Sequence, residues 1–244
     1  MTVATQNGIE YALALETSSD WGGVALGRGP EVLTVQTFDR PRVAASGFVP
    51  AIAAVCKEGG VLPGDVREVY VSCGPGSFTG LRLAVSAARI LSWAFEARVV
   101  AVPTLEVIAH NALDLTPPPM DVAVMIDAKR LHVYASRFHL HGDEYLSLDA
   151  AAEVEPVRYL GHLPPGCALI GDRSEITLQA SAAAGMRFLP YSLGVPRAEW
   201  VYQLGYRRAR RGGFTNRRDL VPAYVRPPEA AERWAARHGM GTSA

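Results

Sequence analysis

Lysine is nearly missing from this chain: Lys57 and Lys129 are the only two, and every other base is an arginine. Few side chains are therefore on hand for a Schiff base or a phosphate-clamping ammonium, although one well-placed lysine would suffice. Cysteine is scarce as well. Cys56, Cys73 and Cys167 are odd in number, far apart and without a CxxC pair, which excludes a disulfide framework and a structural zinc site and predicts buried thiols. Net charge is also absent, since 24 Lys and Arg balance 24 Asp and Glu. No global basic field recruits nucleic acid, although the C-terminal region is locally rich in arginine. The opening MTVATQNGIE lacks a charged start and an apolar run, and Arg82 and Arg89 interrupt the longest apolar helix. The sequence thus predicts neither a signal peptide nor a membrane span, and a cytoplasmic setting. At 244 residues the chain can form one domain or two small ones around a substantial core.

What the chain does have is a concentrated glycine loop, CGPGSFTGLR from Cys73 to Arg82. The preceding EVYVSC alternates and is β-branched, which reads as a strand, and LRLAVSAARILSWAFEA from Leu81 reads as a helix. Gly74, Gly76 and Gly80 let a backbone come close to something, and Ser77 or Thr79 can cap the helix start. Phe78 and Arg82 complete the motif. A helix start of this kind can hold an anion, but no lysine follows the last glycine and Thr79 stands where a third dinucleotide-loop glycine belongs. Two readings stay open, a ligand-facing loop or a tight strand-to-helix connection needed for packing.

The rest of the first half reads as three short strands, YALALE, GGVALG and EVLTVQTF, and a helix from about Phe48 to Lys57. Near Met120 the pattern begins again with DVAVMID, LHVYASRF and YLSL, then CALIGD and a helical EITLQASAAAG. The order is β-β-β-α-β-α with a related second half, and the prolines of Thr116–Pro119 mark the boundary. The expected division is an N-terminal lobe over 1–115, a C-terminal lobe over 120–220 that takes in the helix RAEWVYQLGYRRAR, and a tail over 221–244, which a helix packing back on the first lobe would suit.

Taken in order, ALETSSDWGGVAL, SGFVPAI, CGPGSFTGLR, VPTLEVIAHNA, IDAKRLHVYAS and PAYVRPP resemble the TsaB (YeaZ) family of glycoprotease-like proteins. The resemblance implies the α/β superfold shared by actin, sugar kinases and Hsp70 (ASKHA). It implies a non-catalytic scaffold for threonylcarbamoyl transfer to the adenosine beside the anticodon of ANN-reading tRNAs, with a TsaD-like catalytic subunit, a TsaE-like ATPase and tRNA reached through the complex. The alternative is a stand-alone kinase or phosphotransferase of the same superfold.

The catalytic paralogues carry a paired-histidine metal motif on the first helix. The matching stretch Arg42–Gly47 has no histidine, and Ala45 stands where many TsaB-like sequences keep one, so no metal is expected. His139 and His141 share one face of a strand but adjoin a polar turn. Glu16, Thr17 and Ser18 sit where actin-like ATPases surround magnesium and phosphate, although turn chemistry alone accounts for such residues. Asp127–Arg130, the matching turn of the second half, lacks the glycine that wraps phosphate. No cofactor is expected, with ATP or ADP at a subunit interface as the exception. Arg207, Arg208, Arg210, Arg211, Arg217 and Arg218 read as a solvated helix end or as a tRNA-phosphate contact. The resemblance also implies a partner surface on two helices, expected at Phe48, Ile52, Val55, Leu81, Ala84, Ala88 and Leu91. Self-pairing through it is the competitor when the partner is absent, and burial of both helices between the lobes is the bland alternative.

Overall fold

The computed structural model describes residues 10–39, 47–223 and 225. The stretch Arg42–Ser46, expected to begin a metal-free helix, and all of the expected tail beyond 225 lie outside the described residues.

Strands β1 (Tyr11–Glu16), β2 (Trp21–Arg28) and β3 (Glu31–Asp39) form an antiparallel meander, and β4 (Val66–Ser72) and β5 (Arg98–Val102) extend it in parallel on the far side of β1. The period-two pattern of these strands gives the sheet two apolar faces. Leu13, Leu15, Val24, Leu26, Val69 and Val71 point to α1 (Phe48–Glu58) and α2 (Phe78–Phe95). Their neighbours Ala12, Ala14, Ala25, Tyr70 and Val100 point the other way.

The second lobe repeats the plan. Strands β6 (Asp121–Lys129) and β7 (His132–His141) are antiparallel, and β8 (Glu144–Ser147) and β9 (Ala152–Val154) pair with successive parts of β7, as one interrupted edge strand. After the short helix α4 (Pro156–Leu160), β10 (Ala168–Gly171) runs parallel to β6, and α5 (Glu175–Ala183) leads to a single parallel bridge between Leu169 and Phe188. The order is therefore the same as in the first sheet, with the fifth strand reduced to one residue. Thr116–Pro119 lies in the sequence between the strands of the two sheets.

Two helices cross between the lobes. Helix α3 (Thr104–His110) follows β5 yet lays Leu105, Ile108 and Ala109 into the core of the second sheet with Val122, Phe138 and Tyr145. Helix α6 (Ala198–Arg210), counted with the second lobe by its position in sequence, packs instead on the first sheet. Val201, Tyr202 and Leu204 meet the outward residues of β1, β2, β4 and β5, and Tyr70 meets Tyr202 edge to face at 5.5 Å. Amphipathic spacing shows that α6 must cover a sheet, but not which one. The chain stays with the first lobe afterwards: Leu220 enters its core, and Ala223 N–H donates to Cys73 O at 2.7 Å. All three cysteines are buried thiols. Among the described residues no helix is long and apolar enough to cross a membrane.

Candidate functional site

Between the lobes lies a cleft of about 640 Å³. The first lobe lines it with the β1–β2 turn (Ser18 to Trp21) and the start of α2 (Gly76 to Thr79). The second lobe contributes the end of β6 (Asp127 to Lys129), Tyr134, Asp172 to Ser174 and Tyr191.

The glycine loop turns its close approach inward. Ser77 N–H donates to Ser18 O at 2.7 Å, and Thr17 Oγ1 donates to Gly80 O at 2.7 Å. A Cβ on Gly76 would lie 2.4 Å from Ser18 O, and one on Gly80 would lie 1.8 Å from Thr17 O. The glycine loop and the β1–β2 turn are thus packed on each other, backbone to backbone, which is the packing reading of the loop. Of the two caps the sequence offers, Ser77 rather than Thr79 caps α2, accepting Gly80 N–H at 3.3 Å. Gly74 is held from the other side, because its N–H reaches Thr104 Oγ1 at 3.1 Å and its carbonyl accepts Thr104 N–H at 2.9 Å. Phe78 lies at the rim, half covered by the Arg82 guanidinium 3.8 Å above its ring.

Of the Glu16–Thr17–Ser18 set, only Ser18 lines the cleft. Glu16 is fully buried, and its Oε1 accepts both the N–H and the hydroxyl of Ser18, at 2.5 and 2.6 Å, which folds the carboxyl back on its own turn. Its Oε2 has no hydrogen-bond partner, and burial pushes its pKa up against the opposing pull of the Ser18 donors. This carboxyl serves the turn rather than the cavity. In the second lobe, Asp127 holds Lys129 through both its backbone N–H and its ammonium, each at 2.7 Å, while Asp172 Oδ2 accepts Asp127 N–H at 2.6 Å. Asp172, Arg173, Tyr134 and Tyr191 were not legible as cleft residues, because no motif brings them together in sequence.

Among the described residues no cluster of three His, Cys, Asp or Glu could hold a metal. His139 bonds Asp121 Oδ1 at 3.0 Å. The arginines at the end of α6 are tied down within the chain. Arg207 pairs with Asp143, Arg208 with Glu106, Arg210 with Glu68 and Arg211 with Glu144, while Arg217 donates to Ser92 O. Arg207, Arg208, Arg210 and Arg211 are therefore clamps within the chain, with Arg207 and Arg211 reaching across to the second lobe.

The residues expected on a partner surface face inward. Phe48, Ile52, Val55, Ala84 and Ala88 belong to the core of the first lobe, Leu81 is buried, and Leu91 is half-buried against that core. The reason is that α1 and α2 share one face of the sheet, so their apolar stripes are consumed there. The outward stripe of α2 is instead Arg82, Ser86, Arg89, Ile90 and Trp93, with Ile90 63% and Trp93 75% exposed. On α1 the outward apolar residue is Val49, 62% exposed. Trp93 could have been found in the sequence from its place on the face opposite Ala84 and Ala88.

Residues 42–187, more than half of the chain, match the family described as TsaD, tRNA N6-adenosine threonylcarbamoyltransferase. The chain is 27% identical over 163 residues to a Bacillus subtilis tRNA threonylcarbamoyladenosine biosynthesis protein TsaB, covering 62% of this chain and 70% of that protein. The solved structure of YeaZ from Pseudomonas aeruginosa superimposes with a TM-score of 0.73 at 25% identity, covering 88% of this chain and all of that one. A second Pseudomonas aeruginosa structure, described as similar to peptidase YeaZ, gives a TM-score of 0.75 at 26% identity over 89% of this chain. With its two lobes of like strand order, this chain belongs to the TsaD threonylcarbamoyltransferase family, in its TsaB (YeaZ) branch.

Proposed function

We propose that this chain is a non-catalytic scaffold in tRNA threonylcarbamoyladenosine synthesis, docking a TsaD-type catalytic subunit, joined by a TsaE-type ATPase, through the outer side of α2 and α1. The observation that carries the reading is the exposed stripe of α2. Trp93 and Ile90 stand bare on a helix whose other side is fully used, with Arg89 beside them and Arg82 flattened on Phe78. Tryptophan and arginine dominate the binding energy of protein interfaces, and an exposed tryptophan on a rigid helix needs little ordering to bind. Val49 on α1 adds to the same side of the sheet.

The supporting role also fits the cleft. Gly76 and Gly80 are spent on contact with the β1–β2 turn, and Glu16 is folded away from the cavity, so the groups a phosphotransferase would aim at phosphate serve packing here. The experiment is reconstitution of threonylcarbamoyl transfer to an ANN-reading tRNA. Transfer by TsaD-type and TsaE-type subunits should depend on this chain, which alone should turn over neither ATP nor the threonylcarbamoyl adenylate. Robust turnover by the isolated chain would overturn the reading.

A further inference from the structure

The crossing of α3 and α6 places two fully buried polar residues, His110 and Asn111, between the lobes. His110 Nδ1 faces Glu106 O at 2.8 Å, and Nε2 faces Tyr145 N–H, on β8 of the second lobe, at 3.1 Å. The backbone N–H of Tyr145 can only donate, so Nε2 must be the acceptor and the proton sits on Nδ1, a tautomer assigned from these two bonds. The ring lies 5.8 Å from the Tyr145 ring, edge to face, and 5.4 Å from the Trp200 ring on α6. Asn111 completes the joint: its amide donates to Leu193 O at 2.7 Å and Val195 O at 2.8 Å, and its carbonyl accepts Arg197 Nε at 2.7 Å. His110 thus bonds α3 to the edge strand of the second lobe, while the Asn111–Arg197 bond and the Trp200 ring contact carry that joint to α6, which packs on the first sheet.

We propose that His110, neutral with its proton on Nδ1, and Asn111 form a polar latch that locks the two lobes at one angle, giving the cleft a fixed width. Protonating Nε2 would set two N–H donors against each other and strip Tyr145 N–H of its acceptor. Of the charged groups facing the ring, Glu144 favours the protonated form, and Arg207 and Arg208 oppose it. From its own helix comes Glu106, bonded to Arg208; from the β7–β8 turn come Asp143 and Glu144; from α6 come Arg207 and Arg208. Each of these carboxylates is already engaged by an arginine. Burial is the largest influence and pushes the His110 pKa down to about 4, against the pull of the Glu106 carbonyl and of Glu144 and with the push of the Arg207 and Arg208 guanidinium groups. The latch is separate from the outer side of α2, so it stands whether or not that side is the partner surface.

The test uses the full chain with spin labels at Lys57→Cys on α1 and Ala182→Cys on α5, both exposed. Interlobe distances are read by double electron–electron resonance, alongside nitrogen NMR of the histidine rings with His110 assigned by its loss in His110→Gln. The expected result is one narrow distance that is unchanged between about pH 8 and about pH 5.5, with His110 as the neutral Nδ1–H form throughout. His110→Gln, whose amide can both donate to Glu106 O and accept Tyr145 N–H, should keep the narrow distance. His110→Leu and Asn111→Ser should broaden it into several components. A narrow distance in folded His110→Leu and Asn111→Ser would overturn the latch. If His110→Leu does not fold, the unsubstituted chain decides: a His110 ring that gains its proton above about pH 6, or carries it on Nε2, overturns the proposal.

Discussion

Helices α2 and α5 hold the same place in the two lobes, each carrying the chain from one parallel position of its sheet to the next, yet they are built differently. Helix α2 has 18 residues and ends in an exposed Trp93 and Phe95, whereas α5 has nine and shows Leu178 as its one exposed large apolar side chain. Their inner sides are alike in kind: small residues such as Ala84 and Ala88, or Thr177, Ala180 and Ser181, let the helix sit close on the sheet. The duplicated topology therefore dictates the inner side of both helices and leaves the outer side open to other demands. Only α2 has been given a long outer side with an aromatic anchor.

The sharpest break in this comparison comes from the inner side. Ala88→Arg buries an unpaired guanidinium in the first core and should cost about 3–5 kcal/mol, enough to unfold the chain, seen as loss of the cooperative thermal transition. Survival of the fold with only partner binding lost would mean that α2 is turned the other way. Somewhat less severe is Gly80→Ala, which drives a Cβ against Thr17 O and should cost about 3 kcal/mol by forcing the α2 start away from the β1–β2 turn. Denaturant midpoints measure it, and an unchanged midpoint would show that the two loops are not in contact.

Two buried titratable groups sharpen the difference between the cleft turn and the lobe crossing, because their slopes oppose. The folded pKa of His110 lies below its unfolded value of 6.5, so its contribution is fully present above that value and is lost as pH falls toward about 4, by roughly 3 kcal/mol in all. The folded pKa of Glu16 is raised above 4.5, so its contribution runs the other way, present at low pH and lost as pH rises through the folded value. Glu16→Gln keeps an acceptor for Ser18 and removes the ionisable group. It should leave the chain more stable by about 1 kcal/mol above the folded pKa, with a flatter profile there. A profile that keeps its slope in Glu16→Gln would assign it to another group.

Much of the fold is legible in the sequence, because strand period and turn chemistry are local. The three opening strands, the strand before the glycine loop, a hydroxyl cap at Ser77 or Thr79 and the restart near Met120 all follow from neighbours within a few residues. Long-range choices are not legible in this way. Nothing in RAEWVYQLGYRRAR tells that Val201 and Tyr202 meet the first sheet, or that its arginines find Glu68, Glu106, Asp143 and Glu144, because those partners lie far away in the chain. The glycine loop shows the same limit. Its density signals close approach, but only the placement of Thr17 and Ser18 reveals that the neighbour is the chain itself. The apolar surplus of α2 likewise points to burial on two sides, while the assignment of Ala84 and Ala88 to the inside and of Ile90 and Trp93 to the outside comes from the sheet beneath.

The most direct measurement is the dissociation constant of this chain for a TsaD-type subunit, by calorimetry, with Trp93→Glu as the variant. Trp93 is three-quarters exposed, so the variant should fold with an unchanged melting temperature. If the outer side of α2 is the docking surface, Trp93→Glu should weaken binding by at least about 30-fold, the loss of a 2 kcal/mol interface anchor. An unchanged dissociation constant in the folded variant would contradict the account.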